Sequence, residues 1–175
     1  MNRRAFTLTS LAAIAAAGPA VATERFTFPS IDGGDYDLAV WRGRPILVVN
    51  TASLCGFTDQ YADLQRLQDT YQDRAIVLAV PSDDFAQELA DNAAVAEFCE
   101  MQYGLTLPLT TIQSVRGPGA HPFYRWLARD HGFVPQWNFN KVLLDQAGQP
   151  VQTWGSGPNP MGRRIRGALD GLLAA

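Results

Sequence analysis

"VVNTASLCGFTDQY", residues 48–61, joins the end of a predicted strand to the start of a predicted helix. The apolar and β-branched run at residues 45–50 is typical of a strand that is covered on both faces. After the quoted stretch, large apolar side chains recur at the spacing of one helical face. They are Tyr61, Leu64, Leu67 and Tyr71. Thr58 is the predicted N-cap of this helix. Cys55 therefore lies in the connection between a buried strand and a helix.

A second apolar run, AIVLAVP at residues 75–81, follows this helix. A strand, a helix and another strand at this spacing predict a right-handed unit with two parallel strands. Open α/β sheets place their sites just beyond the carboxyl ends of the strands. Cys55 is predicted to lie at such an end.

Further elements surround this unit. Short extended pieces at residues 26–28 and 36–38, separated by the turn sequence at residues 32–34, predict an opening hairpin. A helix is predicted over residues 91–103, with Gly104 as its stop signal.

The C-terminal part continues the α/β pattern. A short extended segment is predicted at residues 105–111, a helix begins near Pro122, and a hairpin lies within residues 140–154. Asn159 is the predicted cap of a final helix. The whole order predicts a thioredoxin-like α/β fold, in which a central mixed β-sheet is flanked by helices and preceded by a β-hairpin, in a single domain over residues 23–175.

Residues 1–22 have the pattern of a cleaved export signal rather than of the folded domain. Arg3 and Arg4 precede a short apolar core, and the small residues at 20–22 fit a cleavage site before Thr23. The arginine pair resembles a twin-arginine signal, and an ordinary Sec signal is the alternative. Both routes predict an exported protein, most simply a periplasmic one.

Charge and composition exclude several classes of partner. The chain has 14 basic and 17 acidic residues and a formal net charge of −3, which argues against a nucleic-acid partner. No membrane partner is expected after the export signal is removed. No cofactor or metal is expected, because the two histidines have no motif spacing around them.

The local sequence restricts the chemistry of Cys55. A position ahead of a helix N-terminus favours a thiolate, because free backbone N–H groups and the positive end of the helix dipole face it. Thr58 stands where a Cys-x-x-Cys dithiol would need its second cysteine, and Ala52 stands where a peroxiredoxin would have threonine. A buried, inert cysteine is the remaining alternative, and Gly56 argues against it by allowing another molecule to approach closely.

The motifs around Cys55 resemble those of the glutathione peroxidase family. NTASLCGFTDQYADLQRL, at residues 50–67, is similar to the signature around that family's peroxidatic residue. WNFNKVLLD, at residues 137–145, resembles a second signature, and VLAVPSDDFAQE, at residues 77–88, resembles a third less closely. The resemblance covers nearly all of residues 23–175. It implies a thioredoxin-like fold and an enzyme that reduces peroxides.

The resemblance also implies roles for single residues. Cys55 would be the peroxidatic nucleophile, with Trp137 and Asn138 as its indole and amide partners. The family has a glutamine as a further partner, and Asp84 occupies its place here. We expect the Asp84 carboxylate to point outward or to be solvated, with Gln87 as an alternative replacement for the family glutamine.

Cys99 lies in a segment that resembles the part of two-cysteine family members carrying the resolving cysteine. The resemblance then implies a Cys55–Cys99 disulfide that a thioredoxin-like dithiol reopens, with glutathione less favoured. The connection before Trp137, residues 130–136, lacks the longer loop with which other members build tetramers, so a monomer or weak dimer is expected.

Two alternatives stay open at this point. The first is an exported, non-enzymatic thioredoxin-like domain held by a structural Cys55–Cys99 disulfide, which is the ordinary use of two cysteines in an oxidising compartment. The second is a peroxide sensor that passes its oxidation to a partner. The sequence does not choose between hydrogen peroxide and organic hydroperoxides.

Overall fold

The computed structural model describes residues 24–174. The predicted export segment, residues 1–22, lies outside these residues. The described chain forms a two-stranded and a four-stranded β-sheet with four α-helices. None of the helices in this part of the chain is long and apolar enough to cross a membrane.

The N-terminal hairpin pairs β1 (Thr27–Pro29) with β2 (Asp35–Asp37) in antiparallel register. Gly33 and Gly34 turn the chain with φ values of +95° and +75°. Glycine adopts such values without steric cost. The predicted hairpin is confirmed, and each strand lies one residue from its predicted bounds.

A four-stranded sheet with the order β4-β3-β5-β6 forms the centre of the molecule. Its strands are β3 (Ile46–Thr51), β4 (Ile76–Pro81), β5 (Lys141–Leu144) and β6 (Pro150–Trp154). Strands β3 and β4 run parallel, whereas β5 is antiparallel to β3 and β6 is antiparallel to β5. Every residue of β3, β4 and β5 is buried. Burial on both faces explains why most side chains of these strands are apolar.

The helices cover both faces of this sheet. They are α1 (Gln60–Tyr71), α2 (Asn92–Tyr103), α3 (Pro122–His131) and α4 (Arg163–Leu173). Helices α1, α2 and α4 share one buried apolar cluster, which also contains both cysteines, and α3 shares a second cluster with the hairpin. Neighbouring residues of β3 enter different clusters, since successive side chains of a strand point to opposite faces. The predicted thioredoxin-like arrangement of a mixed sheet between helices is confirmed.

The ends of α2 follow the sequence signals. Asp91 is its N-cap, and its carboxylate accepts a hydrogen bond of 2.9 Å from Ala94 N. Gly104 ends the helix in the left-handed conformation, with φ of +58°, and its N–H donates to the Glu100 carbonyl at 2.8 Å. The helix predicted over residues 91–103 is thereby confirmed, with its first residue serving as the cap.

Two predicted helix starts are wrong. Helix α1 begins at Gln60 rather than directly after a Thr58 cap, because the Thr58 hydroxyl is engaged in the cysteine turn described below. Helix α4 begins at Arg163 because Asn159, its predicted cap, closes a separate turn by accepting from Met161 N at 2.8 Å.

The segment at residues 105–111 forms single bridges rather than a full strand. Leu109 bridges Ala79 of β4 in parallel, and Thr110 bridges Ser30 after β1. The segment therefore joins the small hairpin to the edge of the main sheet.

Candidate active site

Cys55 lies in a tight turn between β3 and α1. Its backbone N–H donates to Thr58 Oγ1 at 3.0 Å, and the Thr58 hydroxyl lies 3.0 Å from the Ala52 carbonyl oxygen. The Phe57 N–H donates to Cys55 Sγ at 3.5 Å. Asp59 stands at the N-cap of α1 without a side-chain capping hydrogen bond, and its carboxylate accepts instead from the Tyr103 hydroxyl at 3.4 Å. Thr58 therefore fixes the cysteine turn, and a backbone N–H faces the sulfur.

The surroundings of the Cys55 thiol are apolar and partly open. Cys55 itself is 8% exposed, whereas its neighbours Leu54 and Phe57 are 61% and 36% exposed. The space where Gly56 would carry a Cβ is open, with no atom within 4 Å. A ligand that reaches the sulfur would therefore meet exposed apolar side chains around it.

Gln87 lies beside Asn138, and its backbone is attached to the cysteine turn. Asn138 Nδ2 donates to Gln87 Oε1 at 3.0 Å, and the Leu54 N–H donates to the Gln87 carbonyl at 2.9 Å. Asn138 is fully buried. The turn before Gln87 is tight, since the Ala86 N–H donates to the Asp83 carbonyl at 2.8 Å. Of the two residues considered for the family's glutamine, Gln87 is the one that the structure places against the amide.

Asp84 points away from this amide pair, into the segment that precedes α3. Its carboxylate accepts from the Ser114 hydroxyl at 3.1 Å and from the N–H groups of Val115 and Arg116 at 2.6 and 3.0 Å. Three donors therefore bind the carboxylate. Its role in the structure is to hold the segment around Val115 against the loop that follows β4.

Trp137 lies on the surface beside this loop. Its side chain is 42% exposed and packs on Phe85, with ring centroids 5.3 Å apart. Its carbonyl oxygen accepts from Asn50 Nδ2 at 3.0 Å, which attaches the residue to the end of β3. An exposed indole fixed by its backbone can meet a substrate, so a purely internal packing role does not describe it.

Buried polar groups stabilise the turn at residues 137–140. Phe139 is fully buried with φ of +61°, and its N–H donates to the Asn50 carbonyl. The buried Lys141 ammonium donates to the carbonyl oxygens of Phe139 and Ser156 at 2.7 and 3.1 Å. The Ser156 hydroxyl donates to the Asn138 carbonyl at 2.6 Å. A non-glycine residue with positive φ is strained, and these bonds stabilise it.

Cys99 lies on the inner face of α2 and is 1% exposed. Both cysteines are free thiols here, although they belong to the same buried apolar cluster. Burial raises the pKa of the Cys99 thiol to about 11, and the nearby charge of Glu88 adds to the rise while the Tyr61 hydroxyl opposes it. Cys99 in the intact helix is therefore a protonated, covered thiol.

Glu88 is a buried carboxyl that no sequence motif indicated. It is 8% exposed, and its Oε1 accepts from the N–H groups of Ser53 and Leu89 at 3.0 and 2.9 Å. Burial raises its pKa. It ties the loop after β4 to the cysteine turn. No periodic pattern marked this residue, because it lies in an irregular loop between β4 and α2.

The structure thus brings together one group of the predicted residues and leaves two others apart. The Cys55 turn, Gln87 and Asn138 are joined by hydrogen bonds. Asp84 binds elsewhere, and Cys99 lies on a separate helix.

Comparison with known proteins places these features in a family. The model of the family "Glutathione peroxidase" matches residues 24–128, which include Cys55, Gln87 and Cys99 and end before Trp137. The chain is 36% identical over 154 residues to the glutathione peroxidase homolog BsaA of Halalkalibacterium halodurans, covering 85% of this chain and 97% of that protein. It is 39% identical over 147 residues to the hydroperoxy fatty acid reductase gpx1 of Synechocystis, covering 77% of this chain and 87% of that protein.

Solved structures agree with these sequence matches. The crystal structure of Trgpx in apo form superposes with a TM-score of 0.65 at 30% identity, covering 85% of this chain and 93% of that one. The resemblance drawn from the sequence motifs is thereby confirmed. The chain belongs to the glutathione peroxidase family and is a peroxidase.

Proposed function

We propose that this peroxidase works with two cysteines, of which Cys55 attacks the peroxide and Cys99 resolves the product. The observation that carries the proposal is the hydrogen-bonded unit of the Cys55 turn, Gln87 and Asn138, with Trp137 exposed next to Asn138 in the chain. Neutral amide and indole N–H groups stabilise developing negative charge without competing as nucleophiles.

In the first step the Cys55 thiolate attacks the outer oxygen of a hydroperoxide. An S–O bond forms, the O–O bond breaks, and the sulfur is oxidised by two electrons to a sulfenic acid. The departing alkoxide or hydroxide takes up one proton and leaves as alcohol or water. Trp137, Asn138 and Gln87 are the proposed donors to the charge on this leaving oxygen.

In the second step Cys99 attacks the Cys55 sulfenic acid. An S–S bond forms and the hydroxyl leaves as water, taking the proton of the Cys99 thiol. A buried thiol with a pKa of about 11 is a poor nucleophile at neutral pH. Local opening of α2 would bring Cys99 to Cys55 and also expose it to water, which restores its ordinary acidity.

A thioredoxin-like dithiol is the proposed reductant of the resulting disulfide, with glutathione less favoured. The second cysteine supports this choice, since a dithiol needs a protein disulfide to exchange with. We further propose that the protein is exported, most simply to a periplasm, and acts as a monomer or weak dimer.

The decisive experiment follows peroxide consumption by the reduced protein from residue 23 onward, with thioredoxin or glutathione as reductant. Cys55→Ser is expected to abolish turnover, because serine is a far weaker nucleophile toward the O–O bond. Cys99→Ser is expected to consume about one equivalent of peroxide and then to stall as a sulfenic acid, which excess peroxide converts to the sulfinic acid. Peptide mass analysis of oxidised wild type should show the Cys55–Cys99 link.

Other outcomes would select an alternative. Normal turnover of Cys99→Ser with glutathione would make this a one-cysteine enzyme in which Cys99 only packs. Unfolding of Cys99→Ser, together with wild type that does not consume peroxide, would favour a structural disulfide. If peroxide oxidises the wild type but neither reductant supports turnover, the protein is better described as a peroxide sensor that passes its oxidation to a partner.

A further inference from the structure

Ser156 lies in the glycine-rich segment after β6, and it contacts two parts of the active site. Its hydroxyl donates to the Asn138 carbonyl at 2.6 Å and accepts from Asn140 Nδ2 at 3.1 Å. Its own carbonyl accepts from Gln60 Nε2 at 2.8 Å and from the Lys141 ammonium at 3.1 Å. One residue therefore binds both the turn that carries Asn138 and the start of α1.

The Asn138 carbonyl differs from the other carbonyl groups of the turn at residues 137–140. Those other carbonyls accept hydrogen bonds from residues of the central sheet, Trp137 and Asn140 from Asn50 and Phe139 from Lys141. Among residues 24–174, Ser156 is the only donor to the Asn138 carbonyl. The orientation of this carbonyl therefore depends on a side chain outside the sheet.

The peptide group between Asn138 and Phe139 is bound at both ends. Its N–H donates to the Asn50 carbonyl, and its oxygen accepts from the Ser156 hydroxyl. Phe139 has φ of +61°, which is unfavourable for a residue with a side chain. Without the Ser156 bond, rotation of this peptide group would relieve the strain, and the Asn138 amide would move with it.

Gln60 connects Ser156 to the part of the site that carries the nucleophile. It is the first residue of α1, which begins directly after the Cys55 turn, and its side chain is buried. The Cys55 turn and the Asn138 turn are thus joined twice, once through Gln87 and once through Ser156.

We propose that Ser156 is a positioning residue for peroxide reduction, which holds the Asn138 amide in the place that the first step requires. The inference rests on the proposed function, in which Asn138 donates to the leaving oxygen. Ser156 acts through Asn138 and touches no reacting atom. Such an effect is measurable, because displacement of a group by about 1 Å can slow an enzymatic reaction on the order of a hundredfold.

Ser156→Ala is the main variant, because it removes the hydroxyl of a half-buried loop residue and keeps its carbonyl. We expect single-turnover oxidation of Cys55 by hydrogen peroxide to slow about fivefold, as for the loss of one hydrogen bond. Ser156→Thr keeps a hydroxyl and should stay within about twofold of wild type. Oxidation of Ser156→Ala at the wild-type rate, or equal losses in both variants, would overturn the inference.

A double substitution tests whether Ser156 acts through Asn138. In the Asn138→Ala background, adding Ser156→Ala should change the rate of Cys55 oxidation by less than about twofold, because the amide that Ser156 positions is gone. A further fivefold loss in that background would mean that Ser156 acts by another route, and it would overturn the inference.

Ser30→Ala is the matched control. Ser30 is buried directly after β1, where its hydroxyl bonds to the Tyr36 hydroxyl at 3.0 Å and accepts from Asp32 N at 3.2 Å. Its removal should lower the urea midpoint of unfolding about as much as Ser156→Ala does, while the rate of Cys55 oxidation stays within about twofold of wild type. Equal slowing in both variants would indicate general destabilisation and contradict a positioning role.

Gln60→Met replaces the main variant if Ser156→Ala does not fold. It keeps the length of the side chain and removes the donor to the Ser156 carbonyl, which retains its bond to Lys141. We expect Cys55 oxidation to slow about threefold, and this loss should disappear in the Asn138→Ala background. A wild-type rate for Gln60→Met would count against the link through Ser156.

The side-chain NH₂ resonances of Asn138 separate this inference from the proposed function. They are identified in nitrogen-15 spectra of the reduced protein by their loss in Asn138→Ala, and they should shift in Ser156→Ala but not in Ser30→Ala. Unshifted resonances together with normal wild-type turnover would overturn the inference alone. Shifted resonances in a wild type that consumes no peroxide would instead refute the proposed function, while the place of Asn138 would still depend on Ser156.

Discussion

The Asn138 side chain donates a 3.0 Å hydrogen bond to Gln87 across 51 residues of the chain. This bond uses the Gln87 oxygen and one of the two amide hydrogens of Asn138. The NH₂ group of Gln87 and the second hydrogen of Asn138 therefore stay available for a negatively charged sulfur or oxygen. Two amides from separate loops thus present donors at one place, next to the turn that carries Cys55.

Substitutions can distinguish the role of Gln87 from that of Asp84. Gln87→Met keeps the length of the side chain but removes its N–H donors. We therefore expect the oxidation of Cys55 by peroxide to slow by at least about tenfold, because loss of one donor in an oxyanion site typically slows a reaction by this much or more. Asp84→Asn should leave that rate within about twofold of wild type. It should lower the free energy of unfolding by about 1 kcal/mol, because it weakens bonds to three donors. Stopped-flow measurement of thiol oxidation and urea unfolding measure the two effects. Slow oxidation of Cys55 in Asp84→Asn would contradict the assignment of Gln87, rather than Asp84, as the donor.

Trp137→Phe and Asn138→Ala should both slow the first step while leaving the fold intact. Each removes a donor proposed to face developing charge, an effect typically worth about 2.7–4 kcal/mol in oxyanion sites. The Trp137 change should hardly affect stability, since that side chain is 42% exposed. Rates of Cys55 oxidation in single-turnover experiments are the measurement. If both variants react at the wild-type rate, neither side chain acts on the leaving oxygen.

The sequence predicted the sheet and helices well because buried strands and amphipathic helices have strong periodic signals. The sequence could not show whether Asp84 or Gln87 takes the place of the family's glutamine, because this depends on the backbone conformation of one residue. Ala86 has φ of +54° and lies in a tight turn between these two residues. Because of this turn, Asp84 binds the segment before α3 whereas Gln87 lies against Asn138. An alanine gives no sequence signal for positive φ, because residues with positive φ are usually glycine or asparagine. The helix starts at residues 60 and 163 were missed because nearby Thr58 and Asn159 side chains bind local turns instead of capping.

Weakening the start of α2 should speed formation of the disulfide. Asp91→Ala removes the carboxylate that accepts from Ala94 N, a loss of about 1 kcal/mol in helix stability. If local opening limits the second step, this should raise its rate by about fivefold while the first step stays unchanged. Rapid quenching followed by mass analysis of the Cys55–Cys99 link measures it. An unchanged rate would show that opening of the first turn of α2 does not limit the reaction.

The pH dependence of stability should contain two opposing contributions. Burial lowers the pKa of Lys141 from 10.5 to about 8, so the unfolded chain holds this proton to higher pH than the folded one. The Lys141 contribution to the free energy of unfolding therefore rises between about pH 8 and 10.5, by about 3 kcal/mol. Burial raises the pKa of Cys99 from 9.0 to about 11, so its contribution is present at lower pH and falls between about pH 9 and 11.

Two variants separate these contributions. Lys141→Met should remove the rise, so that stability falls more steeply than in wild type above pH 8. Cys99→Ser should remove the fall that begins near pH 9 and leave the rise, whereas the fall above pH 10 should remain, because burial also raises the pKa values of Tyr61 and Tyr124. Urea unfolding of the reduced proteins from pH 7 to 11 measures both, and parallel pH profiles in all three proteins would show that neither group is perturbed by burial.

The burial of Cys99 on the inner face of α2 has a consequence for the fate of the enzyme at different concentrations of peroxide. On the proposed mechanism, the sulfenic acid waits until the helix opens, and a second peroxide molecule can reach the same sulfur during that wait. The two events compete, so the fraction of molecules lost per cycle grows in proportion to peroxide concentration divided by the opening rate. The packing of one helix thereby sets the oxidant concentration above which the protein inactivates itself faster than it is recycled.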